Sequence, residues 1–199
     1  MKKLLLMTAI AVFGFTNVNA QDENTTGGFA EGDVYVSGTV GFNSASQDEV
    51  KENNLTFSPA VGYFISDNIA LEFNLLFGSQ KQEVGDAEDK QSQFGAGVGA
   101  TYFFTPSNQF SFTLGAGVAY VSSKEEFEGI DDELKTNSFG IAVSPGVNYF
   151  VSDCLSLRAS IGALSYTSSK ADFEGAEALN TFGLNLDLSD INFGVTYKF

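Results

Sequence analysis

The 199 residues contain no histidine and a single cysteine, and only 10 are basic against 25 acidic. Each shortage removes a class of answer. Without histidine the Ser-His arrangements of hydrolases and acyltransferases cannot be built. No paired-carboxylate motif replaces them, so no catalytic residue is assigned and the chain is not expected to be an enzyme. Cys154 alone cannot form an intrachain disulfide, so an exported chain of this size must be held by something else, such as a closed hydrogen-bonded wall. The thiol stands in a turn with no basic neighbour to activate it and is expected to be inert. Few Lys and Arg exclude nucleic acid as a partner, because phosphate binding needs clustered positive charge. No cofactor is implied.

Long hydrophobic runs are also missing, save one at the start. Lys2 and Lys3 precede an apolar stretch from Leu4 to Phe15, followed by Val18-Asn19-Ala20. These are the zones of a cleavable secretory signal peptide over residues 1–20. The stretch is too short to cross a bilayer core of about 30 Å as a helix, which takes about 20 residues. Residue 21 is Gln rather than Cys, so cleavage leaves nothing to lipidate. Losing Lys2 and Lys3 leaves 8 basic residues against 25 acidic ones, a net charge of −17.

What the mature chain does have is strict alternation, with hydrophobic residues making up 43 % of the full sequence. Eight segments alternate and are read as strands: Asp33–Phe42, Leu55–Ile65, Ile69–Gly78, Gln93–Phe104, Phe110–Val121, Ser138–Val151, Leu155–Tyr166 and roughly Leu186–Phe199. One face of each is apolar, as in Ile69, Leu71, Phe73, Leu75 and Phe77; the other is small or polar, as in Gly95, Gly97, Gly99 and Thr101. A soluble lipocalin-type barrel would place its large apolar residues inside. Here the apolar face is continuous enough to meet lipid, while the small face suits the narrow interior of eight strands. The expected fold is all-β, an eight-stranded antiparallel up-and-down transmembrane β-barrel over residues 33–199, with residues 21–32 as a periplasmic N-terminal tail and a lumen filled by side chains. The expected location is the outer membrane, with its lipid bilayer as the first partner.

The connections alternate in length as such a barrel requires. Ser66-Asp67-Asn68, Thr105–Gln109 and Ser152-Asp153-Cys154 are short; Asn43–Asn54, Ser79–Ser92, Ser122–Asn137 and Thr167 to about Asn185 are long and hold 16 of the 25 acidic residues. Eight strands put both ends of the mature chain in the periplasm. Aromatic residues mark both expected membrane boundaries: Tyr63, Phe104, Phe110, Tyr149 and Tyr197 on the periplasmic side, Phe42, Phe77, Tyr120 and Phe139 on the outer side. The most acidic loop carries Glu125, Glu126, Glu128, Asp131, Asp132 and Glu133. Its spacing matches no EF-hand, so a solvated loop is the plain reading, with divalent ions bridging to anionic lipid heads as the functional one.

A repeat runs through the chain. Ser58-Pro59-Ala60-Val61-Gly62-Tyr63-Phe64-Ile65-Ser66-Asp67 returns 86 residues later as Ser144-Pro145-Gly146-Val147-Asn148-Tyr149-Phe150-Val151-Ser152-Asp153, four strands on. Pro59 and Pro145 fall within strands, where each should create a bulge or an unpaired position. In the last segment the apolar parity switches between Leu188 and Ile191, predicting one extra residue near Ser189-Asp190. The two charged residues inside the central strands, Glu72 and Arg158, are also 86 apart and both on the inward face. A two-fold relation along the barrel would set them on opposite walls at one height, so an ion pair across the lumen is expected, completed by Asn74, Asn148 and buried water.

The segment Pro59–Leu71, its copy Pro145–Leu157 and the final strand Ile191–Phe199 resemble the small outer-membrane β-barrels, or porin-family barrels, abundant in Bacteroidetes. The resemblance spans the mature chain and implies fold and location. It also implies that Tyr197 and Phe199 belong to the C-terminal signal read by the barrel-assembly machinery. The expected role is structural or partner-binding, with acidic outer loops meeting an envelope or extracellular partner; the alternative is a narrow porin-like channel passing small solutes or cations.

Overall fold

In the computed structural model of the protein, residues 27–47, 50–84, 87–126, 133–161, 163–185 and 191–199 are described; the expected signal peptide lies outside them. Ten strand segments follow in order: β1 (Val34–Gln47), β2 (Val50–Phe64), β3 (Ile69–Val84), β4 (Ala87–Phe103), β5 (Phe110–Glu126), β6 (Leu134–Phe150), β7 (Leu155–Ile161), β8 (Ala163–Ala171), β9 (Leu179–Asn185) and β10 (Ile191–Lys198). Sequential neighbours β1 to β6 pair antiparallel. Then β6 pairs both β7 and β8, β8 pairs β9, β7 pairs β10, and β10 returns to β1. β7 and β8 are thus two parts of the seventh wall strand, β9 and β10 two parts of the eighth, and the sheet closes as an eight-stranded antiparallel barrel.

Alternation explains the wall. Val61, Tyr63, Leu71, Phe73, Val98, Phe112, Ile141 and Tyr149 point outward and are exposed, while Gly62, Phe64, Ala70, Thr101, Phe103, Asn148 and Phe150 turn inward and are buried. The nine aromatic residues expected at the membrane boundaries all lie on the exposed outer face.

The ladder is not uniform. Between β2 and β3, Phe57 pairs Phe77 and Ala60 pairs Asn74, with no pairing at Ser58 and Pro59. Proline offers no N–H there, and register survives the gap. At Pro145 the break is a slip instead: Val143 faces Leu164 but Gly146 faces Ser160, so three steps on β6 meet four on its partner. A wider interruption follows, since Ile161 faces Ile191 whereas Ala163 faces Asn185, a step of two residues against six. The single extra residue expected near Ser189-Asp190 lies outside the described residues, but the flanking registers require more than one.

The long loops are a correction. Asn43–Asn54, Ser79–Ser92 and the described parts of Ser122–Asn137 and Thr167–Asn185 are largely strand, with Gln47 paired to Val50, Val84 to Ala87, Glu125 to Leu134 and Ser169 to Leu179. The wall simply continues past the lipid boundary. Beyond it both faces are wet, so the apolar period vanishes although the hydrogen-bond ladder goes on. Polar contacts take over from lipid contacts, cross-strand between Lys81 and Glu88 at 2.7 Å, Gln91 and Glu125 at 2.8 Å and Ser138 and Ser169 at 2.8 Å, and along β3 between Lys81 and Glu83 at 2.7 Å.

The short turns match expectation, and two of them are copies. Ile69 N donates to Ser66 Oγ at 3.2 Å, and Leu155 N donates to Ser152 Oγ at 3.1 Å. The 86-residue repeat is therefore a repeat of hydrogen bonding as well as of sequence.

Candidate functional site

Two layers cross the lumen near the short-turn end, and the lower one is aromatic. Phe64, Phe103 and Phe150 are inward residues at strand ends, each no more than 1 % exposed. They surround Phe29, which belongs to the segment expected to be the periplasmic N-terminal tail. Phe29 stacks on Phe64 with centroids 4.6 Å apart, meets Phe150 edge-on at 4.8 Å and Phe103 at 5.4 Å, and touches Tyr35 at 5.3 Å. The described part of the tail is thus inside the mouth of the barrel. Phe64 and Phe150 are equivalent positions of the repeat and flank Phe29 from opposite walls.

The upper layer is polar. Arg158 Nη1 donates to Glu72 Oε1 across the lumen. Tyr35 donates its hydroxyl proton to the same carboxylate oxygen at 2.5 Å, and Thr101 donates to Glu72 Oε2 at 2.8 Å. Arg158 Nη2 donates to Tyr35 Oη at 3.2 Å, and the guanidinium lies 4.9 Å from the Tyr35 ring centroid and 5.1 Å from that of Phe103. Arg158 is the chain's single arginine. Its planar fork can hold the carboxylate and the phenol oxygen at once while its face rests on aromatic rings; an ammonium has neither the fork nor the flat face.

The partners differ from those expected. Asn74 lines the cavity above the pair, and Asn148 accepts from Ser156 Oγ at 2.9 Å; the groups that complete the carboxylate's bonding are Tyr35 and Thr101. Tyr35 was missed because its neighbours Val34 and Val36 read as an ordinary strand. The available signal was Gly62, its register partner, where a Cβ would collide with the Tyr35 ring. Phe29 was missed because it precedes the first alternating segment.

Above these layers the lumen is not filled. Gly99, Gly115, Gly117, Gly140, Ala142 and Ser144 help line a cavity of about 470 Å³ that begins at Glu72 and Arg158 and runs toward the hairpin end. Small inward side chains do not reach the axis; they leave room rather than occupying it.

Of the acidic patch, Glu128, Asp131 and Asp132 lie outside the described residues. Glu125 and Glu126 end β5, and Glu133 accepts a salt bridge from Lys124 at 2.7 Å. The Glu133 carboxyl is held below the usual range, first by the Lys124 hydrogen bond and then by its charge. Among the described residues no three acidic or cysteine side chains gather in a way that could hold a metal ion. Cys154 is half-buried in its turn, where its carbonyl accepts from Lys198 N at 2.7 Å. Tyr197 pairs Val36 on one side and Leu155 on the other, and Phe199 N donates to Val34 O at 3.1 Å, so the C-terminal strand has no free edge there once the barrel has closed.

Solved structures with the same architecture include the outer membrane protein OprG from Pseudomonas aeruginosa, at TM-score 0.55 and 16 % identity over 88 % of this chain and 99 % of that one. A major outer membrane protein from Thermus thermophilus follows at TM-score 0.52 and 10 % identity, covering 84 % and 98 % of the two chains. At such identities the likeness is one of fold. No curated protein matches the sequence. Residues 8–199 match the family described as outer membrane protein beta-barrel domain. With the closed eight-stranded wall and its lipid-facing exterior, that match identifies the chain as a member of the outer-membrane β-barrel domain family, located in the outer membrane.

Proposed function

We propose that this protein is a sealed barrel with a structural or partner-binding role in the cell envelope, and that its acidic outer hairpins are the surface it presents. The observation that carries the reading is the double closure at the short-turn end: the Phe29 cluster and, directly above it, the Tyr35-Glu72-Arg158 layer. Strand faces are committed to lipid or lumen, so recognition falls to the hairpins beyond the membrane. No catalytic step is part of this reading, since the chain has no histidine and Glu72, Arg158, Tyr35 and Thr101 are engaged with one another. Before closure, the C-terminal strand with Tyr197 and Phe199 is an unpaired edge available to the assembly machinery.

The second reading is a narrow, cation-preferring channel, and the cavity of about 470 Å³ favours it, because only two layers would have to part. Solute flux into proteoliposomes separates the two. The sealed barrel leaves liposomes impermeable to monosaccharide-sized solutes; swelling that scales with protein content would support the channel.

A further inference from the structure

We propose that the short-turn mouth of the barrel is a binding site for a glycine-glycine-aromatic peptide segment, that the chain's own Gly27-Gly28-Phe29 occupies it, and that this segment is the periplasmic seal of the lumen. The proposal deepens the sealed-barrel reading and rests on it.

The slot admits glycine and little else. A Cβ on Gly27 would lie 2.6 Å from both Phe150 Cδ1 and the Ser152 carbonyl oxygen, and one on Gly28 would lie 2.7 Å from the Ser107 carbonyl oxygen. Backbone of the β4–β5 and β6–β7 turns cannot step aside as a flexible side chain could. The two glycines therefore thread between these turns and deliver Phe29 into its aromatic pocket, where it is 3 % exposed.

Polar contacts fix the threading. Phe29 N donates to Pro106 O at 2.8 Å, and Lys198 Nζ donates to Gly28 O at 2.5 Å while lying 3.6 Å from Asp33 Oδ2. Gly32, at φ +92°, turns the chain from the slot into β1, a conformation glycine adopts without a side-chain clash. Its N–H donates to Phe64 O at 2.9 Å. The contacts come from β2, the β4–β5 turn, the β6–β7 turn and β10, which lie around the whole circumference. The site exists only once the wall has closed, so docking of the segment follows closure. With it in place, the cavity above opens toward the outer side alone.

Hydrogen exchange of the bilayer-inserted protein, combined with its conductance, tests both halves. In the wild type the Phe29 and Gly32 amides should be protected and the bilayer electrically silent. Gly28→Val should free those amides to exchange at least about tenfold faster, leave β2 to β6 protected, and produce steady conductance, because the Tyr35 and Phe103 rings beneath Arg158 lose their contact with Phe29 and the upper layer does not stay closed without the segment. A chain lacking residues 21–30, which empties the slot without forcing anything into it, should conduct likewise if the valine variant fails to insert. Rapid exchange of the wild-type Phe29 amide would overturn the docking. Freed amides or an emptied slot with a silent bilayer would overturn the seal, since the Arg158 layer alone would then suffice. Steady conductance of the wild type with a protected Phe29 amide would also overturn the seal, and would sink the sealed-barrel reading while leaving the segment docked.

Discussion

Glu72 and Arg158 stand 86 positions apart in the sequence, one repeat unit, and are hydrogen-bonded to each other across the lumen. Their strands, β3 and β7, are opposite each other in the eight-stranded wall, so the repeat brings equivalent positions to the same height. At one such pair of positions it placed opposite charges, and at another it placed Phe64 and Phe150 on either side of Phe29.

The charge pair predicts strong coupling. Glu72→Gln alone leaves the guanidinium facing a neutral amide in a mostly buried layer, and Arg158→Met alone leaves the carboxylate. Each single substitution should cost about 3 kcal/mol of unfolding free energy, and the double variant less than the sum. Equilibrium unfolding in detergent or lipid measures this; additive costs would mean that the two side chains do not interact.

Tyr35 should matter through its hydroxyl and its ring separately. Tyr35→Phe removes one donor to a charged acceptor and should cost about 1.5–3 kcal/mol. Gly62→Ala keeps the hydroxyl but places a methyl group where the ring lies, so it should disrupt the same layer without touching a charge. Comparing the two by thermal loss of heat-modifiable gel migration distinguishes lost bonding from lost space: equal wild-type behaviour of Gly62→Ala would contradict the packing described.

Most of the wall could be read from the sequence, because lipid imposes an apolar residue at every second position from Ile69 to Phe77 and from Phe110 to Tyr120. Where lipid ends, so does the legibility. Lys81, Glu83, Glu88 and Lys90 continue a ladder whose existence depends on pairing with the strand inside the membrane, and no local pattern announces it. The Glu72–Arg158 contact was legible from the repeat and the scarcity of inward charge. Phe29, Tyr35 and Thr101 were not, since their roles depend on which residues meet at the axis after closure.

The outer β3–β4 hairpin should respond to acid. Glu83 and Glu88 are both held below the usual carboxylate range, first by hydrogen bonds from Lys81, to which Lys90 adds at Glu88. Depressed carboxylates add stability above their unfolded pKa and lose it as pH falls through the folded one. Amide protection in residues 79–84 and 87–92 should therefore hold at neutral pH and decline below about pH 4, with the membrane-spanning ladder unaffected. Unchanged hairpin protection at low pH would show that these ion pairs do not order it.

Removing Lys124 to Lys135 should leave insertion and heat stability intact, because β5 and β6 stay paired from Phe110–Tyr149 to Ser122–Asn137, with Ser123 and Thr136 left as a two-residue turn. Any partner binding by the outer surface should fall with it. Binding that survives loss of every outer hairpin would place recognition elsewhere.

Closure of the lumen is decided by single-channel recording of the full mature protein in a planar bilayer. The two layers at Phe29 and at Tyr35-Glu72-Arg158 predict a silent membrane across the voltage range at which the bilayer itself is stable. Steady, cation-selective steps from the unaltered protein would contradict it.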